Sequence, residues 1–339
     1  MQSIINYVVY INIAFLAGFN INTEKKDLSS FEGAFRIISE ISLFENKTDF
    51  IGSVSDLSID TDGNFWLLDG RNCNIKKYDE KGRFLKSISN KGRGPGELLM
   101  PLSLFVYKDV IYVLDIMLRK LMIFHINGGY KQSIDMKYSQ LIKLSMNNEL
   151  IIGGVRISEK KKGYCIHIYN SKGKYKRSFF PIPDAAYRIG LRCRGVFFDI
   201  DNRENIYCAQ EADNFIHIFK LDGKFLKSFP IRNQYYVFPP SKPLEKIYLK
   251  SKADAWIQSW THINKIEVLN NGTLLVNLLT FKPSMYSIDV YDLDGNLIKG
   301  SIVCDYRLLC SDKNDYQYFL KEEIGEKINF KVLKCVLNN

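Results

Sequence analysis

The sequence predicts an all-β fold, a six-bladed β-propeller with four-stranded antiparallel blades, and three observations carry that prediction. The first is a repeat. "IKKYDEKGRFLKSI" (75–88), "LMIFHINGGYKQSI" (121–134), "IHIYNSKGKYKRSF" (166–179), "IHIFKLDGKFLKSF" (216–229) and "IDVYDLDGNLIKGS" (288–301) share one pattern of strand, glycine turn and strand. Their glycines, Gly82, Gly128, Gly173, Gly223 and Gly295, are spaced by 46, 45, 50 and 72 residues. The second is an aromatic residue four positions before each glycine: Tyr78, Phe124, Tyr169, Phe219 and Tyr291. A ring that returns to one place in every hairpin marks a packing position on a half-buried strand. The third is the period, because four short strands every ~45 residues is the repeat length of a propeller blade.

The chain opens with "MQSIINYVVYINIAFLAGFN", apolar from Ile4 to Phe19. That stretch of 16 residues has no Lys or Arg before Lys25, so the basic n-region of a signal peptide is missing, and it falls short of the ~20 residues of a spanning helix. Residues 1–33 are read as an export-like segment and linker, with a buried N-terminus or a misplaced start as the alternative, and with no integral membrane domain. Leu16-Ala17-Gly18-Phe19 resembles a bacterial lipobox with Phe19 where the lipid-bearing cysteine would stand, which argues against a lipid anchor.

Residues 34–339 are read as a single propeller domain. "AFRIISEISLF" (34–44) is a strand without a hairpin partner, and "YRLLCSDKNDYQYFLKEEIGEKINFKVLK" (306–334) supplies three strands and stops. Joining the two makes a sixth blade, closes the ring and removes an exposed sheet edge. Strand pairs such as "VSDLSIDTDGNFWLLD" (54–69) and "GVFFDIDNRENIYCAQ" (195–210) complete the blades, with ordinary hairpin chemistry in their turns. Their first strands are innermost and carry Asp56, Asp199 and Glu267 toward the axis.

"NKGRGPGELLMP" (90–101) invites a phosphate-cradle reading. Such a cradle needs a helix after the loop, so that phosphate sits on the helix N-terminus. Here Pro101 and a β-rich run come next. The loop is instead a corner from the outermost strand of one blade to the innermost of the next, with Glu97 capping a backbone amide. The longest link holds its excess at about 233–262, where Leu249, Ala253, Trp256 and Trp260 recur at helical spacing. A helical insertion is expected there, between blades 4 and 5.

The net charge of +10 is dispersed, with no basic block of the kind that marks a nucleic-acid tail, so no nucleic acid is expected as partner. Seven cysteines include no CxxC pair, and several, such as Cys208 in "NIYCAQ", read as small buried hydrophobes. "DTDGN" (60–64) and "DLDGN" (292–296) lack the spaced ligands of a calcium loop and are read as hairpin turns. No metal, cofactor or catalytic residue is assigned.

Strand alternation places the interblade links on one face. That face gathers Arg71, Arg93, Arg188, Arg192 and Arg194 with Trp256, Trp260 and His262, the candidate ligand-binding set. Arginine suits carboxylate or phosphate recognition through its planar fork, and aromatic rings suit a sugar or peptide.

The G-x-G-P-G-E motif at 92–97, with "ISLFENKTDFIGSVSDLSID" (41–60) and the hairpin after it, resembles the opening blade of a known family. These are the six-bladed β-propeller proteins of Gram-negative gut-type bacteria, relatives of the NHL-repeat propellers. The resemblance covers roughly residues 34–335. It implies the fold and an exported protein in the periplasm or at the cell surface of a Gram-negative bacterium, and its members mostly lack an assigned activity. The expected function is a non-catalytic binding or scaffold propeller, taking a glycan, peptide or protein partner on the link-bearing face. The alternative is an NHL-like lyase or hydrolase with an axial channel site, which needs several metal-binding or acid/base side chains on innermost strands.

Overall fold

The computed structural model describes residues 30–44, 50–137, 139–157, 163–188, 195–239, 255–256, 258–282, 285–325 and 328–338. They form six four-stranded antiparallel sheets around one axis. Blade 1 is β2 (Val54–Ile59), β3 (Phe65–Asp69), β4 (Asn74–Tyr78) and β5 (Phe84–Ile88). Blade 2 is β6 (Pro101–Tyr107), β7 (Val110–Asp115), β8 (Lys120–His125) and β9 (Tyr130–Asp135). Blade 3 is β10 (Leu141–Leu144), β11 (Leu150–Ile157), β12 (Gly163–Tyr169) and β13 (Tyr175–Pro181). Blade 4 is β14 (Val196–Ile200), β15 (Asn205–Gln210), β16 (Phe215–Lys220) and β17 (Phe225–Pro230). Blade 5 is β18 (His262–Val268), β19 (Thr273–Leu279), β20 (Tyr286–Asp292) and β21 (Leu297–Cys304). Blade 6 joins the two ends of the sequence: β22 (Arg307–Ser311), β23 (Gln317–Ile324) and β24 (Ile328–Leu337) carry β1 (Phe35–Ser42) on the outside.

The core is divided into six clusters, one in each seam between neighbouring blades. Middle strands β3, β11, β15 and β19 are apolar on both faces because each face meets a neighbouring blade. The repeated glycine has a packing reason as well as a conformational one. Gly128, Gly173, Gly223 and Gly295 have φ between +79° and +102° and press on Ile88, Ile134, Phe179 and Phe229, which lie in the outermost strand of the preceding blade. A Cβ at Gly173 would stand 2.3 Å from Ile134 Cγ2. The aromatic four positions earlier packs beneath the same turn, as in the Tyr169–Tyr175 edge contact at 5.7 Å.

The sixth blade has no such turn, since its third and fourth strands come from opposite ends of the sequence. A short helix, α1 (Phe31–Ala34), takes that place, capped by Ser30. Ser30 bridges Val303, and Phe31 stacks among Phe35, Tyr306 and Phe319 at 5.0 Å each. Asn338 donates from its backbone N to Ala34 O at 2.8 Å and from Nδ2 to Gly33 O at 3.1 Å, tying β24 to α1. Ring closure by the early strand is thus seen as expected from its missing partner.

The glycine-rich corner is folded around its own glutamate. Glu97 Oε2 accepts from Gly94 N at 2.6 Å, and a Cβ on Gly92 would lie 1.9 Å from the same oxygen. The space a phosphate would need is filled by Glu97. Both hairpin turns that echo calcium loops are closed on themselves: Asp60 accepts from Asp62 N, Asn64 N and Asn64 Nδ2, and Asp292 from the equivalent atoms of Asp294 and Asn296. Most of the expected helical insertion, residues 240–254 and 257, lies outside the described residues. Its base is clasped where Thr261 N donates to Val237 O and Thr261 Oγ1 to Tyr235 O.

Candidate functional site

Innermost strands of a propeller splay apart and leave backbone N–H and C=O groups facing the axis, where they need partners. Side chains supply those partners across five seams among the described residues. Asp56 Oδ2 accepts from Leu104 N, Gln140 Oε1 from Val196 N, Asp199 Oδ2 from Val268 N and Glu267 Oε2 from Ser311 N. Arg307 Nη2 donates to Val54 O, joining blade 6 to blade 1. The inner-strand carboxylates therefore hold neighbouring blades together.

The same three carboxylates surround two lysines. Lys143 Nζ lies 2.9 Å from Asp199 Oδ1 and 3.9 Å from Glu267 Oε1. Lys265 Nζ lies 3.4 Å from Asp56 Oδ1 and 3.6 Å from Glu267 Oε1. Burial works against charge on both lysines, but the surrounding carboxylates outweigh it and push both ammoniums above their ordinary value. Burial likewise works to raise the Glu267 carboxyl, yet Lys143, Lys265 and the Ser311 donors hold it below its ordinary value. At Asp199 burial prevails over Lys143, and its carboxyl is raised.

This network divides the channel. A polar cavity of about 630 Å³ lies on the side of the first-to-second-strand turns, with Asp62, Lys313 and Asn314 at its rim and Glu267, Lys143 and Lys265 at its floor. A smaller space of about 140 Å³ lies toward the link-bearing face, lined largely by apolar side chains with Ser103, Asn264 and Arg307. Asp56, Leu141 and Lys265 line both.

The candidate set on the link-bearing face is only partly brought to the surface. Arg71 and Arg93 are exposed. Arg188 ends a short helix, α2 (Asp184–Arg188), while Arg192 and Arg194 lie outside the described residues. Trp256 is half-buried and meets Trp260 edge-on at 5.8 Å. Trp260 is 0% exposed within the seam between blades 3 and 4. His262 is covered beneath it, with ring centroids 3.9 Å apart, and its Nδ1 lies 2.6 Å from Glu211 Oε1. Neither Trp260 nor His262 offers contact surface here, which corrects the expectation that they stand beside the channel mouth as ligand-facing groups. Their helical spacing also arises when a segment buries its rings against the propeller wall.

Asp69 and Asp115 on the same face hold loops. Each accepts from two amides of the preceding link, Gly52 and Ser53 for Asp69, Leu99 and Met100 for Asp115. Each also accepts from two amides of the next turn.

Asp56, Asp199 and Glu267 are the axial groups expected from the sequence. Lys143 and Lys265 are what that reading missed, although each is a lone cation amid apolar neighbours on an inner strand, in "LIKL" and "NKIEV". Among the described residues, no group of three or more His, Cys, Asp or Glu side chains is arranged to hold a metal ion. Nor is any helix there long and apolar enough to cross a membrane.

Comparison with known proteins agrees with the architecture. Residues 19–187 match the model of a family described as "6-bladed beta-propeller". A protein proposed to be exported, from Bacteroides fragilis, superposes with a TM-score of 0.67 at 12% identity, over 93% of this chain and 98% of that one. A DUF4221 family member from Bacteroides vulgatus gives 0.64 at 10% identity, over 90% and 98%. Virginiamycin B lyase from Staphylococcus aureus gives 0.51 at 14% identity, over 86% of each chain. Identities this low show the fold alone. No curated protein sequence matches. With its first three blades matched by the family model and all six present in the structure, the chain is a six-bladed β-propeller.

Proposed function

We propose that this protein is an exported, non-catalytic binding propeller of the periplasm or cell surface, and that its ligand enters the axial cavity on the turn-bearing side. The carrying observation is the commitment of the axial carboxylates. Asp56, Asp199 and Glu267 each accept backbone amides of the adjacent blade and pair with Lys143 or Lys265. A general base must be able to take a proton in the transition state, whereas Asp56 and Asp199 are held at both oxygens by fixed donors and Glu267 is kept weakly basic by Lys143, Lys265 and the Ser311 donors. The raised lysines are likewise poor nucleophiles, because that role needs the neutral amine. What the axis offers is a rigid polar floor beneath a cavity whose 630 Å³ falls within the ~300–1,000 Å³ range of small-molecule sites.

A second reading keeps the partner on the link-bearing face, on the strength of exposed Arg71 and Arg93. One experiment separates the two. Native mass spectrometry of the full chain with a glycan and peptide panel is compared with Asn314→Trp, which crowds the cavity rim, and with Arg71→Glu/Arg93→Glu. Unaltered ligand retained by wild type and lost only in Asn314→Trp supports the axial reading. Loss only in the arginine pair moves the partner to the other face. Chemical conversion of a retained ligand overturns the non-catalytic reading in favour of an axial lyase or hydrolase.

A further inference from the structure

Among the described residues, one polar atom on the channel floor, Glu267 Oε1, has ion pairs but no hydrogen bond. Glu267 is 2% exposed and lines the large cavity. Its Oε2 takes both donors of Ser311, at 3.2 Å from N and 2.7 Å from Oγ, while Oε1 receives none. The two ammoniums nearest Oε1 stand beyond hydrogen-bond reach for a short contact, at 3.6 and 3.9 Å. With two ammoniums at ion-pair distance but no hydrogen bond, that oxygen keeps an open acceptor site.

Resting on the axial reading above, we propose that the cavity takes a neutral polyhydroxylated unit, a saccharide residue, with one hydroxyl seated between Glu267 Oε1 and the Lys143 and Lys265 ammoniums. A hydroxyl carries one donor and two acceptor lone pairs. It can therefore give its proton to Oε1 and accept from an ammonium at the same time. No charged group fits the spot as well. A cation would sit against two ammoniums already drawn to that oxygen, and an anion would face Asp56, Asp199 and Glu267 together. The wall supplies a second element. Phe105 is half-buried, lines the cavity and stands with its ring centroid 6.0 Å from Lys143 Nζ. An aromatic face beside a hydrogen-bonding floor suits the C–H side of a pyranose ring.

The test is titration calorimetry on the full chain with glucose, galactose, mannose, xylose, N-acetylglucosamine, maltose and lactose at millimolar concentrations. Glucuronate and spermidine serve as anionic and cationic counterparts. At least one neutral sugar is expected to bind. Glu267→Gln should weaken it roughly tenfold or more, the scale of a hydrogen bond to a charged group, and Phe105→Ala should weaken it independently. Should circular dichroism show Glu267→Gln unfolded, Phe105→Ala, which leaves every ion pair in place, decides alone. Failure of every neutral sugar to bind overturns the proposal. Binding of only a charged probe, abolished by Asn314→Trp, also overturns the saccharide assignment but leaves the axial reading standing. Sugar binding indifferent to Asn314→Trp, Glu267→Gln and Phe105→Ala removes both.

Discussion

Replacing Lys143 with methionine tests the axial network directly. The side chain keeps its length and loses its charge. At an effective dielectric of ~20, a unit-charge pair at 2.9 Å attracts by about 6 kcal/mol and one at 3.9 Å by about 4 kcal/mol, the separations of Lys143 from Asp199 and Glu267. Most of that attraction offsets the cost of taking the ions out of water, so the net contribution is much smaller. Removing only the cation forfeits the attraction while both carboxylates stay buried, at 7% and 2% side-chain exposure. Breaking a buried pair in this one-sided way costs ~3–5 kcal/mol. Urea unfolding monitored by tryptophan fluorescence should show Lys143→Met destabilised by that amount. Lys143→Met/Asp199→Asn should recover much of the loss, because the second change removes the carboxylate left raised by burial. A loss under ~1 kcal/mol, the scale of a solvent-screened surface pair, would refute the reasoning. It would mean that solvent screens the axial charges and that the network is not the rigid polar floor on which the binding proposal stands.

The same geometry sets three further outcomes. Gly173→Ala should cost ~2–4 kcal/mol in urea unfolding, adding a clash with Ile134 to left-handed strain, whereas Gly63→Ala, with φ +85° and open space around it, should cost only ~1 kcal/mol. Phe31→Ala removes a ring 2% exposed from the aromatic knot that joins α1 to blade 6 and should cost ~3–5 kcal/mol. Hydrogen exchange should then quicken first in β1 and β24, and uniform quickening across all blades would contradict a local closure. Glu267 has its folded carboxyl held below the ordinary value, so its stabilisation is present above that value and lost as pH falls through the folded one. Glu267→Gln should therefore flatten the acid limb of the stability profile below about pH 4.5, and an unchanged acid limb would show that the carboxylate is not held as described.

The repeat of hairpin, glycine and aromatic sufficed to specify the blade, its period and the number of copies. Each of these is local: a turn glycine with positive φ and a ring four positions before it lie within one stretch of chain. Even the closure was legible, because "AFRIISEISLF" is a strand with no neighbour in sequence to pair with and the last blade lacks one strand. The corner at 90–101 could likewise be separated from a phosphate loop, because a proline and a strand succeed it where a phosphate loop needs a helix. The site was not legible in this way. Lys265 and Asp56 are separated by 209 positions, and periodicity says only that each faces the axis. Which cation reaches which carboxylate depends on the angle between blades and the depth of each residue along the channel. Those are set by side chains packed in the seams, far from either group in sequence. Trp260 teaches the same point in reverse. Its spacing fits an amphipathic helix whether the ring faces solvent or a neighbour, and only packing against blades 3 and 4 decided that it is covered.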